Sequence, residues 1–150
     1  MLTVIGEAII DMVQGGDGRY TAHAGGSPLN VAVGLARLGH PTRIGARFSR
    51  SRLGRQLCGH AIGNGVDVSH AVDTDEPASL AVVALAPDGS AEYDFYLDGT
   101  ADWQWSATEL AAFVTGTTVL HTGSLACVRQ PGAERIAATM TDASRAGALI

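Results

Sequence analysis

The sequence predicts an α/β fold, a parallel sheet flanked by helices that carries a small antiparallel β insert. Three observations lead there. Apolar β-branched runs alternate with helical periodicity in the order β-α-β-α, hairpin, α-β-α-β. Most of the strand runs are continuously apolar, as in strands covered on both faces. Only residues 91–97 alternate cleanly, with Ala91, Tyr93, Phe95 and Leu97 on one side and Glu92, Asp94 and Tyr96 on the other. That alternation marks a half-exposed antiparallel pair.

Residues 2–10, LTVIGEAII, are expected as one buried strand that stops at Asp11. Gly15, Gly16, Asp17 and Gly18 make a turn, and residues 19–24 return as a short strand. Ser27 suits a helix N-cap and Pro28 the first helical position. That helix runs to Leu38 and stops at Gly39. Its apolar residues occupy two faces, Leu29, Val33 and Ala36 against Val31, Leu35 and Leu38, which predicts deep packing. Residues 42–48 read as a strand, and 53–62 as a helix ended by Gly63 and Gly65. Residues 79–86 and 91–97 are two strands joined by a hairpin turn at Pro87-Asp88-Gly89-Ser90. Ser106-Ala107-Thr108-Glu109 is a capping box that opens a helix to Val114. Residues 117–122 form a strand, Pro131 opens a helix to Ala146, and Ala148-Leu149-Ile150 begin another strand. A parallel sheet stopped there has an uncovered edge, so the chain reads as half of a larger α/β domain.

The 150 residues carry a net charge of -5, and all ten basic residues are Arg. Without Lys there is no P-loop, no Schiff-base Lys and no protein-kinase strand Lys. An acidic, Lys-free chain matches neither nucleic acid nor an anionic membrane surface, so neither partner is expected. Glu7 and Asp11 interrupt the first apolar run and no basic leader precedes it. The expected location is cytoplasmic, with Cys58 and Cys127 as free buried thiols in a reducing compartment.

Asp11 is expected at the carboxyl edge of the sheet, where open α/β folds bind ligands. A carboxylate there accepts hydrogen bonds from hydroxyls; the alternative is a turn Asp. Gly25 and Gly26 precede a helix start, where a ligand can approach free backbone N–H groups, or where the chain can hinge. Asn30 lies in the first turn, with an amide that donates and accepts. Arg43, Arg47, Arg50, Arg52 and Arg55 read as a solvated helix edge, with a phosphate or nucleic-acid patch as the alternative. Trp103 and Trp105 read as anchors of a loop to the core, with sugar stacking as the alternative. His121 reads as a hydrogen-bonded core residue, and no group of side chains has metal-ligand spacing. No G-x-G-x-x-G follows the first strand, which excludes a dinucleotide-binding dehydrogenase domain.

GGSPLNVAVGLARLG, residues 25–39, resembles the first signature of the ribokinase-like (PfkB) carbohydrate kinases. IGEAIIDMV resembles their opening strand, and LGRQLCGHAIGNGVDVSHAV the helix and turn that follow. DGSAEYDFYLDGTADWQW and LHTGSLA are similar to the fructokinase branch. The resemblance implies a Rossmann-like sheet and an antiparallel β lid from about residues 12–24 and 68–98. It implies that Asp11 accepts sugar hydroxyls, that Gly25 and Gly26 form the lid hinge, and that Asn30 makes a second hydroxyl contact. The lid hairpin, Phe95 and Tyr96 foremost, would touch the ring carbons or a second subunit's lid in a homodimer.

The family's Gly-Ala-Gly-Asp loop, which supplies the catalytic base and anion hole, does not occur in this sequence. The resemblance therefore implies that ATP and magnesium are held outside this N-terminal half. No catalytic, cofactor-binding or metal residue is assigned within it, and alone it is expected to be inactive. Ser49-Arg50-Ser51-Arg52 stands where the family often carries acidic residues. Ribose-type members carry a Glu where Gly123 or Ser124 falls, which favours a fructose-like substrate. A non-catalytic sugar-binding or lid-dimerisation module is the alternative.

Overall fold

The computed structural model describes residues 1–85 and 90–150, so most of the expected turn at residues 87–90 lies outside the described residues. β1 (Leu2–Ile5) is the centre of a three-stranded parallel sheet, with β4 (Thr42–Gly45) and β9 (Val119–Thr122) on either side. Successive strand residues point to opposite faces. Val4 enters a core with Leu29, Ala32, Ile44 and Leu57, under α1 (Ser27–Arg37) and α2 (Arg52–Gly63). Ile5 enters the other core with Trp103, Trp105, Leu110, Phe113 and Ile136, under α3 (Ala107–Ala111) and α4 (Gly132–Arg145). Burial on both faces explains the unbroken apolar run.

Residues 2–10 are not one strand. The chain leaves the sheet at Gly6 and enters β2 (Ile9–Gln14), part of a second, four-stranded sheet. The second sheet has the order β3-β2-β7-β8, where β3 is Tyr20–Gly25, β7 Leu80–Leu85 and β8 Ala91–Tyr96. Its antiparallel pairs β2–β3 and β7–β8 are joined by a parallel β2–β7 contact. Both halves of the 2–10 run are buried, so hydropathy alone shows no boundary between them. Residues 42–48 split in the same way: β5 (Arg47–Ser49) pairs in parallel with β6 (Val72–Thr74). Residues 72–74 thus belong to neither of the larger sheets.

Other expectations shift by small amounts. α1 begins one residue early, with Gly26 as N-cap, and Ser27 makes no capping bond. It is buried on one face only: Val31 and Leu35 are half-buried and Leu38 is exposed. The Ser106–Glu109 capping box forms as read, on a shorter helix. Leu149 lies beside Val119 in parallel, and its N–H donates to the Thr118 carbonyl at 3.0 Å. Trp103 and Trp105 are buried anchors. His121 is half-buried, and no hydrogen bond to its ring occurs among the described residues. Both cysteines are free, but Cys58 is only half-buried and Cys127 is exposed. No helix among the described residues is long and apolar enough to cross a membrane.

The Arg run is not one solvated edge. Arg50, Arg52 and Arg55 are exposed, whereas Arg43 and Arg47 are each only 7% exposed. Arg43 donates to Thr3 Oγ1 (2.9 Å), the Phe113 carbonyl (3.0 Å), the Thr115 carbonyl (2.8 Å) and Thr117 Oγ1 (2.8 Å). Arg47 donates to the Ala101 carbonyl at 3.0 Å, to Thr74 Oγ1 at 3.2 Å and to Glu76 at 3.3 Å, and also holds Glu109. A guanidinium has five donors in a fixed plane, so one buried Arg can satisfy several loops at once. Burial pushes the Glu109 carboxyl up, but the Ser106 N–H and Arg47 outweigh it and hold it below the ordinary Glu range.

Arg47→Ala strands Glu76 and Glu109. It should cost roughly 3 kcal/mol, the lower end for breaking a buried pair, because both carboxylates keep some access to water. Arg50→Ala should change stability by less than about 0.5 kcal/mol. Urea unfolding of the two variants checks both values.

Candidate functional site

Asp11 sits in the middle of β2, not at the end of β1, paired with His23 of β3 and with Ala81 of β7. Ala81 is paired in turn with Phe95 of β8. Directly paired residues share a sheet face, so Asp11, His23, Ala81 and Phe95 form one row. The next row on that face is Thr21, Val13, Val83 and Tyr93. The Tyr93 and Phe95 rings stack with centroids 5.8 Å apart.

Tyr96 pairs with Leu80, which pairs with Ile10, so it lies on the opposite face. There Met12, Tyr20, Leu80, Val82 and Tyr96 line an apolar hollow of about 290 Å³. Of the two residues expected to cover a sugar, only Phe95 shares a face with Asp11. The strict alternation of side chains along β8 separates Phe95 from Tyr96.

Gly25 ends β3 beside Asp11. A Cβ at Gly25 would stand 2.1 Å from Asp11 Oδ2, so the carboxylate occupies the space a side chain would fill. Gly26 has φ +100, a conformation that L side chains rarely adopt. A Cβ there would also stand 2.7 Å from the Glu7 carbonyl. The two glycines therefore have separate reasons: one seats the carboxylate, the other lets the α1 start lie on the 7–9 backbone. Asn30 is one turn into α1, its N–H on the Gly26 carbonyl at 2.9 Å and its side chain exposed. The site thus gathers Asp11 of β2 with Gly25 and Gly26 at the end of β3, and Asn30 lies one helical turn further on.

Burial pushes the Asp11 carboxyl up, and the neighbouring His23 opposes this. A partly desolvated carboxylate is a strong acceptor, because water competes less for its lone pairs. Ser124 follows β9 with φ 59, on a loop at the same carboxyl edge as Gly6. A groove of about 530 Å³ lies elsewhere, lined by Phe48, Arg50, Arg55, Cys58 and Asp73 between β5 and α2.

Beneath the site lie carboxyls that sequence reasoning missed. Glu7 is 1% exposed and accepts the Ala126 N–H at 3.0 Å. Asp102 is also 1% exposed; it accepts the Ala8 N–H at 2.8 Å and touches Ser79 Oγ at 2.5 Å. Burial pushes the Asp102 carboxyl up to about 7, the Ser79 and Ala8 contacts oppose this, and Glu7 adds to the rise. The one available signal was position: Glu7 interrupts an apolar run and Asp102 precedes two tryptophans.

Residues 1–149 match the pfkB family of carbohydrate kinases, and the chain belongs to that family. It is similar to fructokinase-1 of Zea mays, at 32% identity over 100% of this chain and 49% of that protein. A fructokinase of Klebsiella pneumoniae is 31% identical over 98% of this chain and 48% of its own length. The chain thus spans about half the length of the curated relatives it matches. Among solved structures, Xylella fastidiosa fructokinase with bound ATP superposes with a TM-score of 0.89 at 29% identity, covering 98% of this chain and 49% of that one.

Gly25→Ala should cost about 1–3 kcal/mol by overpacking against the Asp11 carboxylate. The penalty should shrink by more than about 1 kcal/mol in an Asp11→Ala background. Additive penalties in a thermal-unfolding double-mutant cycle would show that the two residues do not compete for this space.

Proposed function

We propose that this chain forms the sugar-binding half of an ATP-dependent sugar kinase whose acceptor is fructose-like. The observation that carries the reading is the Asp11 carboxylate seated on Gly25 at the root of the second sheet, in a chain of the pfkB family. Asp11 accepts two sugar hydroxyls, and Asn30 supplies a second polar contact. The second sheet serves as the lid, and Phe95 on the Asp11 face closes over the ring carbons. Gly25 and Gly26 form the hinge. The absence of a Glu at Gly123 or Ser124 favours fructose over ribose.

The Gly-Ala-Gly-Asp loop, through which the resemblance implies that the transferred phosphoryl group is held, does not occur in this sequence. We therefore assign the nucleotide, the metal, the base and the anion hole to residues outside this chain. The 150 residues alone should show no ATP-dependent sugar phosphorylation above a no-enzyme control in a coupled ADP assay. Activity there would place a complete site within the chain.

In the full-length enzyme, Asp11→Ala should lower kcat/KM for fructose about a hundredfold or more. That corresponds to two hydroxyl contacts to a charged acceptor. The ionised form is the acceptor, so fructose affinity should fall as the pH drops through a value above the ordinary Asp pKa of about 3.9. Unchanged steady-state kinetics in the variant would remove Asp11 from the site.

A second reading is favoured by the apolar hollow of Met12, Tyr20, Leu80, Val82 and Tyr96. In it the chain is a non-catalytic module that binds sugar or pairs with a second copy through the lid. It requires a dimer in sedimentation and no kinase activity at full length.

A further inference from the structure

We propose that Asp102 is a neutral carboxylic acid and a positioning residue, which clamps the root of the Asp11 strand by donating its proton through Ser79 and Thr100 to the Leu97 carbonyl. The positioning role rests on the sugar-site reading above; the protonation state does not.

The argument is a count of protons. Three oxygen–oxygen contacts run in series: Asp102 Oδ2 to Ser79 Oγ at 2.5 Å, Ser79 Oγ to Thr100 Oγ1 at 2.6 Å, and Thr100 Oγ1 to the Leu97 carbonyl at 2.8 Å. Each needs a hydrogen between its oxygens, and the two hydroxyls supply only two. The Leu97 carbonyl can only accept, so Thr100 donates to it. Ser79 must then donate to Thr100, and the shortest contact is left with no hydrogen unless Asp102 carries it. If Ser79 donated to Asp102 instead, either the Ser79–Thr100 contact or the Leu97 contact would lose its hydrogen, according to where Thr100 donates. An ionised Asp102 always leaves two bare oxygens within hydrogen-bond distance, in a buried place. Asp102, Ser79 and Thr100 are exposed by only 1%, 0% and 4%. A carboxylic acid completes all three contacts while its Oδ1 still accepts the Ala8 N–H at 2.8 Å.

The charges around it agree. Glu7 faces Asp102 from the 6–8 segment and disfavours a second negative charge. Arg47 of β5 donates to the neighbouring Ala101 carbonyl, and Glu76 and Glu109 engage it. Arg129 lies over the Trp103 ring and is engaged by Asp98. Burial pushes the Asp102 carboxyl up to about 7.

The relay joins segments that cross between the two sheets. Ala8 leads into β2 three residues before Asp11, and Ser79 leads into β7 while its carbonyl accepts the Ile10 N–H at 3.0 Å. Leu97 and Thr100 lie where the chain returns from β8. Loss of the proton therefore loosens both sides of the Asp11 strand. A group whose pKa is raised by folding contributes stability below its unfolded value, about 3.9 for Asp, and loses it as pH rises through the folded value.

Asp102→Asn tests this, because an Asn amide accepts from Ala8 and donates to Ser79 yet cannot ionise. In the full-length enzyme, the thermal midpoint of the variant minus that of the wild type should rise by at least about 3 °C between pH 5 and pH 8.5. The ratio of the wild-type to the variant KM for fructose should rise at least threefold over that range, with kcat affected less, because the Asp11 titration is common to both. A variant less stable than the wild type by the same amount at both pH values overturns the neutral acid. So does a carboxyl ¹³C titration of wild-type Asp102 centred near 3.9, a result that needs no variant. Parallel KM curves overturn the positioning role. A wild type that phosphorylates no sugar overturns the kinase reading and with it the positioning role, while the thermal comparison still decides the proton.

Discussion

The two larger sheets share one chain, and the backbone must pass between them four times. Each passage leaves polar groups that neither sheet's ladder can satisfy. Side chains satisfy several of these groups at the junction. Asp102 takes the Ala8 N–H, Glu7 takes the Ala126 N–H, and Ser79 and Thr100 close the remaining gap to Leu97. Gly26 lets the second passage, from β3 into α1, lie directly on the first. The Asp11 site stands on this junction, so its geometry is inherited from interactions that touch no ligand.

The same economy appears in two buried arginines. Arg43 ties β4 to the 113–117 loop, and Arg47 ties β5 to residues 74, 76, 101 and 109. Guanidinium planes also lie over the Phe113 and Trp105 rings, 5.7 and 5.9 Å from their centroids. A Lys could not reach so many acceptors from one position. Loops that carry no ligand group are thereby fixed to the two strands.

Part of the fold was legible in advance, and so were candidates for the site. Asp11, Gly25, Gly26 and Asn30 stand out because a carboxylate after an apolar run and a di-glycine before a helix are local patterns. The helices and the capping box at Ser106 were readable for the same reason. What was not legible depends on tertiary context. The break at Gly6 is invisible because both sides of it are buried. Arg43 and Arg47 look like their exposed neighbours Arg50 and Arg52, since sequence does not record which residues another segment covers. Tyr96 was grouped with Phe95 although a period of two places them on opposite faces, an inference the alternation already permitted. Glu7 and Asp102 are 95 positions apart, and no local pattern links them.

That separation bears on how the molecule assembles. The Ala8–Asp102 bond spans 94 residues and the Glu7–Ala126 bond 119. Closing such long loops costs conformational entropy before the contacts return any energy. The β2–β3 and β7–β8 hairpins can form locally, and α1 and α2 can pack early on β1 and β4. The junction beneath Asp11 must wait until residues 102 and 126 have arrived. A chain made from its N-terminus therefore leaves Glu7 and the Ala8 N–H without these partners until residues 102 and 126 have been added, and the Asp11 strand gains its footing later than the elements that pack locally.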